Sequence, residues 1–282
     1  MNNIHKEVKE LEDRLNNYKD FISNIKDFQN NEYKQFNNQY FWFSVITEIT
    51  ISFMWNLLDF LNYYKKDNWK WHNSTQIVLL CNSMPFIYET FKNIQKWQNH
   101  ISSVLNRTSF ETLIRIFFIS FYPNNYQWIF WKDTVKEMKK KWIPCEKFSV
   151  MNFLDHKLDK RFMNIYKILS TESHSSLITT LTDLSLIEKW EYYIWINMKW
   201  ELDFSYNMNV MITILYAYLL FIDNILIPKM NVANVKKNHQ SILDDNKYLI
   251  KFLSNYLEKL PHEKKLNIEV DSVFEIIKKL EK

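Results

Sequence analysis

Residues 100–121 read HISSVLNRTSFETLIRIFFISF. The apolar side chains in this stretch leave no room for the strict alternation of a half-buried strand, and the charged ones recur at helical spacing. His100, Arg107, Glu111 and Arg115 stand seven, eleven and fifteen positions along the chain from the first of them. On an α-helix those offsets fall close to one face. The stretch therefore reads as a polar stripe on an otherwise greasy cylinder, which belongs inside a bundle of helices.

Helical periodicity extends outward from it in both directions. Ile4, Val8, Leu11, Leu15, Tyr18, Phe21 and Ile25 recur at three- and four-residue spacing within a charged background. They predict an amphipathic helix over residues 1–36 that lies across the bundle or pairs with another chain, as a protein partner or a homodimer would require. An apolar helix follows over roughly 38–64, then a Lys- and Trp-rich turn. Asn73 or Ser74 is expected to cap the next helix, which leads to Pro85. From Pro85 to Phe121 the pattern predicts a further helix, ended at Pro123. The stretch 124–150 is less regular, with a break at Pro144. Helices are expected over about 151–171, over the aromatic segment near 188–204, and over 205–227 up to Pro228. Two charged amphipathic helices split by Pro261 would close the chain. No strand pattern of convincing length and no fixed-period repeat is present. The expected fold is all-α: a multi-helix bundle core at 37–230, with amphipathic segments at 1–36 and 231–282.

Composition narrows function by exclusion. The sequence has 282 residues and Gly 0. Without glycine there is no Walker A loop, no dinucleotide fingerprint, no nucleophile elbow and no EF-hand loop. Alanine occurs only at Ala217 and Ala233 while Lys and Asn are abundant, so the missing glycine reads as A+T-biased coding. A hydrophobic share of 47% with 17% aromatics supplies a large, ring-rich core. The formal charge of +4 permits a nucleic-acid partner without demanding one. Cys81 and Cys145 carry no CxxC pattern and read as free thiols in a reducing compartment. The N-terminus lacks the apolar run of a secretory signal, so a cytoplasmic location is expected. Phe41–Leu61 and Met208–Ile227 are apolar enough to raise a membrane question. Glu48, Asp59 and Asp223 within them favour two core helices over spans. The scattered histidines include no HExxH and no paired His/Cys spacing, so neither a metal nor a cofactor is expected.

What remains is polar chemistry inside the bundle. The arginines are Arg14, Arg107, Arg115 and Arg161 in a chain that otherwise spells its cations as lysine. A guanidinium offers a rigid fork for carboxylate or phosphate that lysine lacks. Arg107 with Glu111, and Glu111 with Arg115, are i,i+4 pairs able to interact. A second stripe holds Tyr166, Ser170 and His174 at successive i,i+4 positions, flanked by Ser173 and Asp159. Glu48, midway along an apolar helix, is expected to be buried against Arg107, Arg115 or Arg161. A bland reading stands beside each stripe. The first is also a core salt-bridge network, and in the second Tyr166 and Ser170 also serve as internal hydrogen bonders with His174 as a helix cap.

The segments RTSFETLIRIFFI (107–119) and YKILSTESHSS (166–176) resemble an uncharacterised bacterial family of all-helical proteins. Its members carry an Arg-Ser/Thr-x-x-Glu helix and, some sixty residues on, Tyr-x-x-Leu-Ser-x-x-x-His. The resemblance covers roughly residues 75–225 and maps that pattern onto Arg107, Glu111, Tyr166, Leu169, Ser170 and His174. The family is similar in flavour to HEPN helical domains, many of them RNA-cleaving toxins or phage-defence effectors. The chain departs from active HEPN nucleases because no arginine has a histidine four to six residues after it. The resemblance implies RNA or a nucleotide as substrate, with metal-independent ribonuclease chemistry. His174 would be the general acid/base, Arg107 and Arg115 would hold phosphate, and Tyr166 or Ser170 would orient the substrate. Glu111 and His100 complete the expected site. The alternative is a non-catalytic interaction or scaffold protein whose stripes are structural. A membrane-associated effector is the remaining possibility.

Overall fold

The computed structural model describes residues 30–31, 33–64, 70–96, 99–124, 160–173, 201–230 and 239–258. Among these the chain is an all-α bundle with no strand. We label its helices α1 (Phe41–Tyr64), α2 (Trp71–Gln95), α3 (Asn99–Phe121), α4 (Lys160–Ser173), α5 (Glu201–Phe221) and α6 (Gln240–Glu258). A helical stretch over 33–39 leads into α1 through a bend at Tyr40.

The centre of the bundle is α5. Every residue from Asn207 to Ile222 is buried, as expected of a helix that is apolar around its whole circumference. It packs against α1, α2, α3 and α6, while α3 joins α2 on one side to α4 on another. Rings dock α4 onto α3: Phe162 stacks on Phe110 at 5.9 Å between centroids and meets Phe117 edge-on at 6.4 Å. Phe162, Ile165 and Leu169 form the buried stripe of α4 at three- and four-residue spacing, so the adjacent Tyr166 is held beside α3 at the edge of that contact.

Where α5 and α3 meet, rings such as Phe117 and Phe221 pack 6.3 Å apart, and the polar contacts between the helices are uncharged. Ser103 and Asn207 exchange hydrogen bonds at 3.2 and 2.9 Å, and the Asn106 amide donates to both Asn207 Oδ1 and its backbone oxygen at 3.0 Å. Lower down, the fully buried Tyr218 hydroxyl donates to the Ser109 carbonyl at 3.0 Å. Burial raises the Tyr218 pKa above its ordinary value, partly offset by a hydrogen bond with Ser83, so the ring stays neutral. A buried amide or hydroxyl costs stability unless its hydrogen bonds are made; these groups make them with one another.

Two boundaries differ from expectation. Pro85 does not begin a new helix: α2 runs through it, and the break comes instead at Lys96. Pro85 lies on the solvent side of α2, where the carbonyl that loses its N–H partner can turn to water. Lys96 then ends α2 at φ −96°, donating to Asn93 and Ile94 carbonyls, so the stop needs no glycine in a left-handed conformation. Helix α2 also starts earlier than its Asn73 or Ser74 cap would imply. It begins at Trp71 after Lys70, and Lys70 makes no side-chain cap.

At the other end of the core, α5 widens into a π turn over Ile222–Leu226 and a 3-10 turn over Ile227–Lys229. Pro228 brings no N–H for the carbonyl four residues back and its ring would crowd it, which accounts for the change of pitch. Asp223 in the π turn accepts a 3.0 Å hydrogen bond from the buried Asn246 of α6. Residues 1–29, 125–159, 174–200 and 259–282, with the helices expected there, lie outside the described set.

Replacing Asn207 with leucine should lower unfolding free energy by about 1–3 kcal/mol, the cost of stranding the Ser103 and Asn106 partners. Urea melts of the two proteins measure it, and coincident midpoints would remove this network from the stability of the core. A second expectation concerns pH. Burial, then Lys229 and Lys70, hold His72 below its ordinary pKa of 6.5. When the folded pKa of a base is depressed, a proton is taken up more readily by the unfolded chain. The stabilising effect of the base is complete above the unfolded value and is lost as pH falls through about 6.5 towards the folded value. His72→Gln should flatten that fall between pH 7 and pH 5. Parallel slopes for parent and variant would show that another group is responsible.

Candidate functional site

The charged groups of α3 lie on the flank that faces α4, away from the amide network. Arg107, Glu111 and Arg115 occupy three successive turns. Arg107 Nε donates to Glu111 Oε1 at 3.0 Å, within good hydrogen-bond geometry. Tyr166 reaches across from α4 and closes a triangle. Its hydroxyl lies 3.4 Å from Arg107 Nη2 and 3.4 Å from Glu111 Oε1, accepting from one and donating to the other. The Arg107 guanidinium also sits over the Tyr166 ring, 5.5 Å from its centroid, in cation–π range. The sequence-derived stripes thus meet at Arg107, Glu111 and Tyr166, with α3 and α4 already brought together by Phe162.

The triangle is half-buried. Arg107 and Glu111 side chains each retain 22% exposure. Burial pulls the Arg107 pKa down, but hydrogen bonds to Tyr166 and Glu111, with their electrostatic attraction, outweigh it and leave it above its ordinary value. Arg107 is therefore a fixed cation with its charge directed at groups of the chain itself.

Arg115 is placed differently. Its Nη2 stands 3.9 Å from Glu111 Oε2, close enough for ion pairing and too far for a hydrogen bond. Its Nε is buried and has no hydrogen-bond partner among the described residues, while the side chain as a whole keeps 38% exposure. Two guanidinium groups share one carboxylate, so the described cluster carries a net positive charge with one fork largely unspent.

Other expected members divide by position. Ser170 lies one turn beyond Tyr166 on α4, half-buried. His100 lies in the first turn of α3, its side chain outside the described set, as is that of Arg161 in α4. His174 and Asp159 fall outside the described residues altogether. Glu48 is a correction. It stands on the exposed side of α1 rather than buried against an arginine. A carboxylate in an apolar stretch needs an internal partner only where water cannot reach it, and α1 keeps one flank in solvent. Among the described residues no group of three or more His, Cys, Asp or Glu side chains could hold a metal ion.

The buried polar residues of α3 went unread in the sequence, although Ser102, Asn106 and Ser109 recur at helical spacing just as the charges do. Their signal is a row of small uncharged groups opposite an asparagine, Asn207, inside a helix that is buried from Asn207 to Ile222. No protein-family model, curated protein or solved structure matches the chain.

Tyr166→Phe removes the hydroxyl and keeps the ring beneath Arg107, so it should cost about 0.5–1.5 kcal/mol. Glu111→Ala leaves Arg107 without its main acceptor and should cost more, about 1–3 kcal/mol. Both fall short of the roughly 3–5 kcal/mol for one partner removed from a fully buried pair. Denaturant titration gives both values, and a larger loss for the tyrosine variant would reverse the assigned order.

Proposed function

We propose that the α3–α4 flank is an oxyanion site through which the chain acts on RNA or a nucleotide, in a toxin or phage-defence setting. The observation that carries this reading is Arg115, whose buried Nε has no partner among the described residues and whose fork is only loosely engaged by Glu111. A guanidinium with donors to spare beside a net positive cluster suits a phosphate, which it can hold with two parallel hydrogen bonds. Arg107, committed to Glu111 and Tyr166, supplies a second fixed positive charge. In this reading Tyr166 and Ser170 orient the bound group, and His174, four positions beyond Ser170 in the sequence, is the general acid/base of a metal-independent cleavage. The resemblance of 107–119 and 166–176 to a HEPN-flavoured family supplies RNA as the substrate class and defence as the setting.

A second reading is favoured by a specific observation. The Arg107–Glu111–Tyr166 triangle is closed on itself and bridges two helices, as a clamp in a non-catalytic interaction protein would be.

Arg115 separates the two, because it bridges no helices in the described contacts. Arg115→Ala should weaken binding of a labelled single-stranded RNA by at least tenfold in fluorescence anisotropy, with the melting temperature unchanged. His174→Ala should abolish growth inhibition on expression while RNA binding persists. Equal RNA affinity for parent and Arg115→Ala would leave the clamp reading standing.

A further inference from the structure

Glu111 divides its carboxylate unequally between its neighbours. Oε1 accepts from Arg107 Nε at 3.0 Å and from the Tyr166 hydroxyl at 3.4 Å. Oε2 stands 3.9 Å from Arg115 Nη2, inside ion-pairing range and outside hydrogen-bonding range. One oxygen is thus tied into the contact between α3 and α4, while the other attracts a guanidinium that it does not bond. Both arginines stand four positions from Glu111 on α3, so helix spacing alone does not distinguish them. Their other contacts do.

Turning Arg107 towards an incoming anion would break its hydrogen bond to Glu111, its contact with the Tyr166 hydroxyl and its seat over the Tyr166 ring. Charge-assisted hydrogen bonds and cation–π contacts are both costly to give up in a half-buried setting. Turning Arg115 breaks no hydrogen bond to Glu111. It gives up attraction across a gap that water partly screens, since the side chain keeps 38% exposure. Arg115 also stands to gain. Its buried Nε has no acceptor among the described residues, and a desolvated N–H left without one is a standing penalty. An oxyanion with two oxygens side by side can meet Nε and Nη2 together.

Glu111 has a second effect on such a ligand. Held by Arg107 and Tyr166, its charge stays in place when Arg115 turns, and like charges at close range repel. The carboxylate that holds the fork at rest therefore also opposes what the fork takes up. A single-atom anion such as chloride makes no second hydrogen bond to offset that repulsion. A phosphate group does.

We propose, resting on the reading of this flank as an oxyanion site, that Glu111 is an internal competitor there. It holds the Arg115 fork at rest and yields it to a phosphate group, while Arg107 and Tyr166 keep Glu111 itself in place. The test measures binding of a labelled single-stranded RNA to the full chain by fluorescence anisotropy, for the parent, Glu111→Gln, Arg115→Ala and the double variant. Glutamine keeps the shape and an oxygen for Arg107 while removing the charge, so Glu111→Gln should bind about tenfold tighter than the parent. The double variant should bind no tighter than Arg115→Ala alone. A glutamate that only braces the helices would give unchanged or weaker binding on substitution, and that result would overturn the proposal. So would an equal gain without Arg115, or a matching gain from Glu89→Gln, an exposed carboxylate on α2.

A second measurement leaves the chain unaltered. In nitrogen-edited NMR of the parent, added inorganic phosphate should shift the Arg115 Nε–H signal and leave that of Arg107 in place. A shift of the Arg107 signal instead would overturn the assignment of Arg115 as the group handed over. The oxyanion reading fails in a different way: Arg115→Ala and Glu111→Gln would both bind RNA as the parent does, phosphate would move neither signal, and there would be no anion for Glu111 to compete with.

Discussion

A helix buried around its whole circumference must satisfy every polar side chain it carries within itself, as Thr213 does on the Asn209 carbonyl, or on a neighbour, and α5 sets that condition for the bundle. Asn207 and Tyr218 cannot reach water, so the helix opposite must present an acceptor or donor at each matching level. Ser103, Asn106 and the Ser109 carbonyl of α3 do so. Apolar packing sets how close the helices come but tolerates sliding, because one leucine replaces another at similar cost. Hydrogen bonds between fixed groups do not tolerate it. The register of α3 against α5 is thereby fixed, and with it the height at which the other flank of α3 presents its charges to α4.

The two flanks of α3 illustrate how burial selects polar chemistry. Toward α5, where exposure is nearly zero, the polar groups are serine and asparagine, and neutral hydrogen bonds offset the desolvation of Ser103 and Asn106. Toward α4, where about a fifth of each side chain remains exposed, arginine and glutamate appear. A charge in the first environment would lose far more hydration than one carboxylate could return. In the second, water continues to solvate part of each ion. The separation of charged from uncharged polar residues around one cylinder follows from that difference.

Much of this was legible in the sequence, and what was not has physical causes. Helical periods around Arg107 and across 205–227 are strong because long apolar helices satisfy their own backbones and leave the burial pattern in plain view. The pairing of Arg107 with Glu111 is local, four positions apart, and needs only helix geometry. That Tyr166 would complete the pair depends on Phe162 stacking on Phe110, a contact between rings more than fifty positions apart that no local pattern encodes. Glu48 misled because hydropathy reports what a helix is made of and not how many neighbours it has. Pro85 misled for a related reason: a proline breaks a buried helix but is accommodated on a solvent-facing side, and the sequence does not say which side it occupies. Ser102, Asn106 and Ser109 carried the same periodic signal as the charges and were overlooked for being uncharged.

Arg107 and Arg115 share a residue type, a helix and an acceptor, yet geometry gives them different capacities. Arg107 points Nε straight at Glu111 and stacks on Tyr166, so its orientation is held from two sides. Arg115 approaches the other oxygen of the same carboxylate at a distance that provides attraction without a hydrogen bond. A carboxylate has one unit of charge to share, and the shorter contact takes the larger part. What is left on Arg115 is a cation held near its position by electrostatics, with a desolvated N–H that gains by meeting an oxyanion. Lysine in its place would keep the charge and lose both the in-plane Nε donor and the fork, which gives a physical reason for arginine at this position in a chain that otherwise relies on lysine.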